Sequence, residues 1–150
     1  MGRICAFFGH RDVWTDMRIP LEQAIRKAIR EHDVTEFWNG GYGAFDSQAA
    51  GAVKRVRAEF PQIQLIRVYA YLPSEDLPEG YDGSIYPEGL ETVPQRFAIS
   101  KRNEWMVQNC DLVIGYVLHE YGGAYQACRR AERIGKPIIN LSGKELFHLP

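Results

Sequence analysis

The residues best suited to chemistry in this 150-residue chain fall into three short clusters. Gly9-His10-Arg11-Asp12 sets an imidazole and a cation beside a glycine. Asn39-Gly40-Gly41-Tyr42-Gly43-Ala44-Phe45-Asp46 and Glu120-Tyr121-Gly122-Gly123-Ala124-Tyr125 are glycine turns. Glycine permits positive φ and lets backbone N–H groups approach an anion, and a helix opening after the turn adds about half a positive charge at that end. That combination suits a phosphate, although strand-to-helix turns also use glycine for steric reasons alone. Neither turn is a P-loop, because no Gly-Lys-Ser/Thr follows, and neither has the GxGxxG spacing with a downstream acid that marks a dinucleotide fold. A routine NAD dehydrogenase is not expected on that ground.

Arg102 is the sharpest single signal. With Asn103 and Met106 it shares a helical face with Ile99, so a guanidinium sits on the stripe that should meet a sheet. Buried alone it would be costly. Two readings remain open: an internal ion pair with Asp111 or Glu120, or an arginine held against a ligand, where its planar fork clamps a phosphate. His10 and Arg11 offer an imidazole and a second cation, or else a capping role. Asp46 falls in the first turn of a helix, where N-terminal capping competes with catalysis. Phe45, Trp38, Trp105 and Tyr125 read as core, with Tyr125 also able to face a nucleobase beside its glycine turn. His32, His119 and His148 show no ligand spacing, so neither a metal nor a cofactor is expected.

These clusters need elements to position them. Apolar runs predict strands at Arg3–Phe8, Thr35–Asn39, Ile63–Tyr71, Leu112–Val117 and Pro137–Leu141. Helical periodicity covers Pro20–His32, a stretch after Gly43 with apolar positions as far as Phe60, Pro94–Asn109, and a stretch from about Gly123. Alternating strands and helices, with strands apolar at nearly every position, predict an α/β fold: a Rossmann-like three-layer sandwich around a mostly parallel sheet of about five strands. In such a sheet ligands bind beyond the carboxyl ends of the strands, where all three clusters fall. Residues 72–93 interrupt the pattern with three prolines, six carboxylates and no basic residue, and read as a lid or a disordered loop within one domain spanning residues 1–150.

Composition narrows the class of protein. The chain is 45% hydrophobic and 25% charged, with 18 basic and 19 acidic side chains, which gives no general attraction to nucleic acid or anionic lipid and sets the expectation that nucleic acid is not a partner. Cys5, Cys110 and Cys128 are odd in number and widely spaced, as expected of reduced core thiols in a cytoplasmic protein. The apolar run Ile4–Phe8 is too short for a signal-peptide core, and Ala6 stands where a myristoylation motif needs Ser or Thr.

In their order along the chain, Gly9-His10-Arg11, the turn from Asn39 to Asp46, Arg102-Asn103-Glu104-Trp105-Met106-Val107 and Gly122-Gly123-Ala124 resemble the YpsA/YoqJ-like family of the SLOG superfamily, which is named for the DprA/Smf and LOG proteins. The resemblance spans nearly the whole chain. It implies a Rossmann-like sheet that binds a nucleotide or nucleotide-derived ligand, as a sensor in much of the family, and self-association through helices flanking the site. LOG enzymes are similar in carrying an Arg before a Met on this helix and a PGGxGTxxE turn, and they cleave the N-glycosidic bond of nucleoside monophosphates. Arg102 and Met106 fit that pattern, but Tyr125 and Gln126 replace the Gly-Thr pair and Arg129 stands where the catalytic Glu would be. Ala124 and Gln108 occupy places where Thr and Asp are expected, which implies weaker phosphate contacts.

The expected ligand-binding set is therefore Gly9, His10, Arg11, Gly40, Gly41, Gly43, Phe45, Asp46, Arg102, Asn103, Met106, Gly122, Gly123, Ala124 and Tyr125. Were the protein an N-glycosidase or phosphoribohydrolase instead, Arg102, Glu120 and Asp46 would carry the reaction. Single-stranded DNA binding through Arg129, Arg130, Arg133 and Lys136, after the DprA relationship, is the remaining alternative.

Overall fold

Strands that are apolar on both faces have to be covered on both, and this chain achieves that with two pairs of helices. The computed structural model describes residues 2–148. Strands β1 (Arg3–Gly9), β2 (Val34–Asn39), β3 (Gln64–Val68), β4 (Gly83–Ile85), β5 (Leu112–Tyr116) and β6 (Ile138–Asn140) form one sheet in the order β4-β3-β2-β1-β5-β6. Every neighbouring pair is parallel. Helices α1 (Arg18–His32), α2 (Gly43–Val56), α3 (Ala98–Asn109) and α4 (Gly123–Arg133) make the outer layers.

The period-two alternation of β1 divides the core. Cys5 and Phe7 pack with Leu21 and Ile25 of α1 and with Phe45, Ala49 and Val53 of α2. Ala6 and Phe8 face the other way, toward Met106 and Val107 of α3 and Ala127, Cys128 and Ala131 of α4. Burial of some twenty hydrophobic side chains in the first cluster alone explains why no disulfide is needed. All three cysteines are free and buried, and burial pushes the thiols of Cys110 and Cys128 up to about 11 and about 12, so neither is a nucleophile at neutral pH.

The sheet has one strand more than the sequence pattern predicts. β4 lies inside the acidic segment and is too short and too polar to show a periodicity. Tertiary hydrogen bonds hold it: the Asp82 carboxylate accepts the Leu65 N–H at 2.8 Å and the Arg57 guanidinium at 2.7 Å, and the Tyr69 N–H donates to the Ile85 carbonyl at 2.8 Å. α2 also ends at Val56, earlier than its apolar stripe, and Phe60 reaches the core from the turn that follows. No helix among the described residues is long and apolar enough to cross a membrane.

The strand order places a topological switch at β1, whose neighbours β2 and β5 lead away in opposite directions. The carboxyl ends of β1 and β5 splay a crevice there. Gly9, the last residue of β1, owes its identity to this crossing, because a Cβ at that position would sit 2.2 Å from the buried Phe45 ring of α2. Gly9→Ala is expected to lower unfolding free energy by about 1–3 kcal/mol through overpacking. Urea denaturation measures this, and a loss below about 0.5 kcal/mol would show that Phe45 moves aside freely.

Candidate functional site

The crevice is a cleft of about 640 Å³. Of the residues expected to bind a ligand, it brings together Gly9, His10, Arg11, Gly40, Gly43, Asp46, Arg102, Asn103, Met106, Gly122, Gly123 and Ala124. The other three, and Glu120 of the alternative catalytic set, lie outside its lining. Phe45 is packed under Gly9, Gly41 is covered by Arg67, Tyr125 packs toward Phe147, and Glu120 is exposed. No residue of the acidic segment 72–93 lines the cleft.

The turn after β2 is built from side chains that consume its own amides. Asn39 is buried; its carboxamide oxygen accepts the Gly41 N–H at 2.7 Å, and its NH2 donates to the Asp46 carbonyl at 2.7 Å. The Asp46 carboxylate accepts the Tyr42 N–H at 3.0 Å, and the Ala44 N–H donates to the Arg11 carbonyl at 2.8 Å. This turn therefore spends the N–H groups of Gly41, Tyr42 and Ala44 internally, while among the described residues those of Gly40, Gly43 and Phe45 find no acceptor. Its glycines serve a steric purpose: a Cβ on Gly40 would lie 2.8 Å from the Arg102 guanidinium, and one on Gly41 only 1.9 Å from that of Arg67.

Arg102 is 97% buried from solvent, with a relative exposure of 3%. It pairs with neither Asp111 nor Glu120. Instead its Nη1 donates to the carbonyls of Val68 at 2.9 Å and Gly40 at 3.2 Å, and its Nε donates to Asn103 Oδ1 at 2.9 Å. Asp111 is used elsewhere, accepting the Ile4 N–H at 2.9 Å. Among the described residues Nη2 has no hydrogen-bond partner, and the side chain lines the cleft. Burial lowers the Arg102 pKa, and the neighbouring charge of Asp46 opposes that shift.

Asp46 is raised from 3.8 to about 6, chiefly by burial, against the pull of the Tyr42 N–H, Arg102 and Arg67. A carboxyl at that value is part protonated near neutrality, as a proton donor inside a cleft would be.

The turn before α4 contrasts with the one before α2. Gly122 caps the helix at φ 93°, no side chain caps it, and among the described residues the N–H groups of Gly123, Ala124 and Tyr125 find no acceptor. Four orphan N–H groups are normal at a helix start, but here two of the three, on Gly123 and Ala124, belong to residues lining a cleft that also holds a buried guanidinium.

Seven lining residues lie outside the expected set: Phe7, Phe8, Asp12, Tyr42, Ile99, His119 and Tyr121. The rings of His10, His119 and Tyr121 stack in a row, with centroid separations of 3.7 Å and 3.8 Å and interplanar angles of 14° and 15°. His10 Nε2 accepts the Leu118 N–H at 3.0 Å, which fixes its proton on Nδ1. Burial lowers the His10 pKa and so does the His119 charge, while Asp12 partly offsets both, so the ring is neutral at pH 7. Only the nearness of His119 and Tyr121 to the second glycine turn could have signalled them, since ring stacking between residues 10 and 119 leaves no trace in spacing. Among the described residues no group of three His, Cys, Asp or Glu side chains could hold a metal ion.

No family model and no curated protein matches the sequence. Solved structures do share its fold. DNA processing protein A from Streptococcus pneumoniae superposes with a TM-score of 0.68 at 20% identity, covering 97% of this chain and 52% of that one, so this chain spans about half of that protein. The same protein from Helicobacter pylori, described in terms of its single-stranded DNA binding mode, gives 0.66 at 16% identity over 98% of this chain and 68% of its own. The structural genomics target TM1055 gives 0.63 at 14% identity over 94% and 75%. At such identities the likeness shows the fold alone, a Rossmann-like parallel sheet flanked by helices. The expectation from net charge that nucleic acid is not a partner finds no support in these structures.

The Asp46 shift makes stability depend on pH with a definite sign. Because the folded value of about 6 exceeds the unfolded 3.8, the folded state holds the proton longer, and the resulting stability is full below about pH 4 and is lost as pH rises through about 6. Compared with Asp46→Asn, the wild-type protein is expected to lose on the order of 2–3 kcal/mol between pH 4 and 7. Parallel curves for the two proteins in urea titrations across that range would place the Asp46 carboxyl in contact with water.

Proposed function

We propose that the cleft binds a nucleotide or nucleotide-derived ligand, with its phosphate on the open amides at the start of α4 and within reach of Arg102, and that the protein works as a sensor or regulatory module. The observation that carries this reading is the coincidence of unpaired donors: the Gly123 and Ala124 N–H groups and the free edge of a buried guanidinium belong to residues that line one cleft, with the unpaired Tyr125 N–H next in the same helical turn. Donors that converge without a protein acceptor are free to meet an anion, and charge-assisted hydrogen bonds are the strongest kind available to them. The cleft volume of about 640 Å³ lies within the usual range for small-molecule sites. The motif resemblance to the YpsA/YoqJ-like family points to the same class of ligand.

One observation favours a second reading, hydrolysis of the N-glycosidic bond of a nucleoside monophosphate. Asp46 lines the cleft with its carboxyl raised to about 6, a value suited to a general acid near neutral pH. Glu120, the other carboxylate considered for that chemistry, is exposed and outside the cleft lining.

AMP at a hundred times its dissociation constant is expected to add about 2.7 kcal/mol to stability, a thermal shift of several degrees. Gly123→Pro removes one of the open N–H groups at the first helical position, where proline is tolerated, and should weaken AMP about tenfold or more while leaving the ligand-free melting temperature unchanged. AMP recovered intact supports the sensor, and adenine with ribose 5-phosphate supports the hydrolase. Absence of any shift with phosphorylated compounds, together with steeply salt-dependent retention of single-stranded oligonucleotides, would replace both readings with DNA binding.

A further inference from the structure

Tyr121 is 67% exposed, yet it is not loose. One face of its ring lies 3.8 Å from His119 at an angle of 15°, and His119 in turn lies 3.7 Å from the buried His10. The segment that carries Tyr121 is fixed at several points. The Leu118 N–H donates to His10 Nε2 at 3.0 Å, the His119 Nδ1 lies 3.2 Å from the Tyr121 carbonyl, and Val117 is held at both its N–H and its C=O by the Asn140 carboxamide at 2.9 Å and 3.0 Å. Ordering an aromatic side chain costs rotamer entropy, and normally the burial of both ring faces offsets that cost. Here only one face is covered by a ring. The other is left open at the wall of the cleft, in the residue that immediately precedes the glycine turn bearing the unpaired α4 amides.

We infer that the outer face of Tyr121 is a stacking shelf for a planar ring of the ligand, so that the ligand carries a nucleobase or similar aromatic heterocycle as the fourth ring of the His10–His119–Tyr121 row. The inference rests on the reading of the cleft as a phosphate site and adds the second recognition element. A ring laid on Tyr121 sits beside the anion donors of the same loop, which is the arrangement a nucleoside monophosphate needs, with sugar between base and phosphate. The shelf is sequence-tolerant by nature, because every base offers a π face and none of the three stacked rings reads an edge. Discrimination between bases then falls to other lining residues. Because the shelf is held in place before the ligand arrives, little ordering cost remains at binding.

The test compares AMP, ribose 5-phosphate and adenosine by calorimetry on the full chain, using the wild-type protein, Tyr121→Ala and Tyr121→Phe. The wild-type protein should bind AMP more tightly than ribose 5-phosphate. Tyr121→Ala should weaken AMP about tenfold and leave ribose 5-phosphate unchanged, while Tyr121→Phe should keep the wild-type affinities, since the ring and not the hydroxyl does the stacking. An unchanged ligand-free melting temperature for Tyr121→Ala shows that the exposed ring is not needed for folding. Equal affinity for AMP and ribose 5-phosphate, or AMP binding indifferent to Tyr121→Ala, overturns the shelf and leaves the phosphate site standing. Failure of both phosphorylated probes to bind overturns the phosphate site, and the shelf with it unless adenosine alone binds and depends on Tyr121.

Discussion

A guanidinium taken out of water has to be met by acceptors, and the burial of Arg102 organises much of this molecule. Its Nη1 joins the carbonyl of Val68, at the end of β3, to that of Gly40, just past the end of β2, and so ties α3 across the carboxyl edge of the sheet. The absence of a Cβ on Gly40 makes room for it. Asp46 lies close enough to oppose the shift in its pKa, while itself occupied with the Tyr42 amide. The arginine thus carries a structural role at the wall of the cleft, and the proposed function adds a recognition role to it. The two readings that the sequence left open, internal partner and ligand clamp, are not exclusive, because the partners are carbonyls and one nitrogen remains unpaired.

The two glycine turns look alike as letters and differ as chemistry. Before α2, Asn39 and Asp46 accept the Gly41 and Tyr42 amides and the glycines accommodate arginine side chains. Before α4, no side chain of comparable reach is present: the cap is Gly122, and an added Cβ there would meet nothing within 4 Å. A polar residue near the start of a helix decides whether the amides are spent internally or kept for a ligand.

Much of the fold was legible because its signals are local. Parallel strands buried on both faces write themselves as runs such as Ile4–Phe8 and Leu112–Val117, and the amphipathic helices between them follow the 3.6-residue period. β4 was not legible, since three residues of edge strand depend on the Asp82 carboxylate and on a neighbour already in place. The cleft was legible from the rule that loops at the carboxyl edge of a parallel sheet converge, which brought Gly9, Arg102 and Gly123 together from distant parts of the chain. His119 and Tyr121 were hidden for the opposite reason. Their placement follows from a stack on His10, a contact spanning 109 positions that neither propensity nor periodicity encodes.

The clasp on Val117 bears on the order in which the molecule can assemble. Asn140 and Ser142, at and just beyond the last strand, grip the backbone of Val117 from the far side of the loop that carries the stacked rings. On the ribosome, the chain emits β1, β2 and β3 well before residue 140 is available. The sheet can begin to collapse early, but the loop of stacked rings acquires its fixed shape only after β6 has docked. A nascent or C-terminally nicked chain would therefore hold most of the hydrophobic core while lacking a finished site, which separates the acquisition of structure from the acquisition of binding in time.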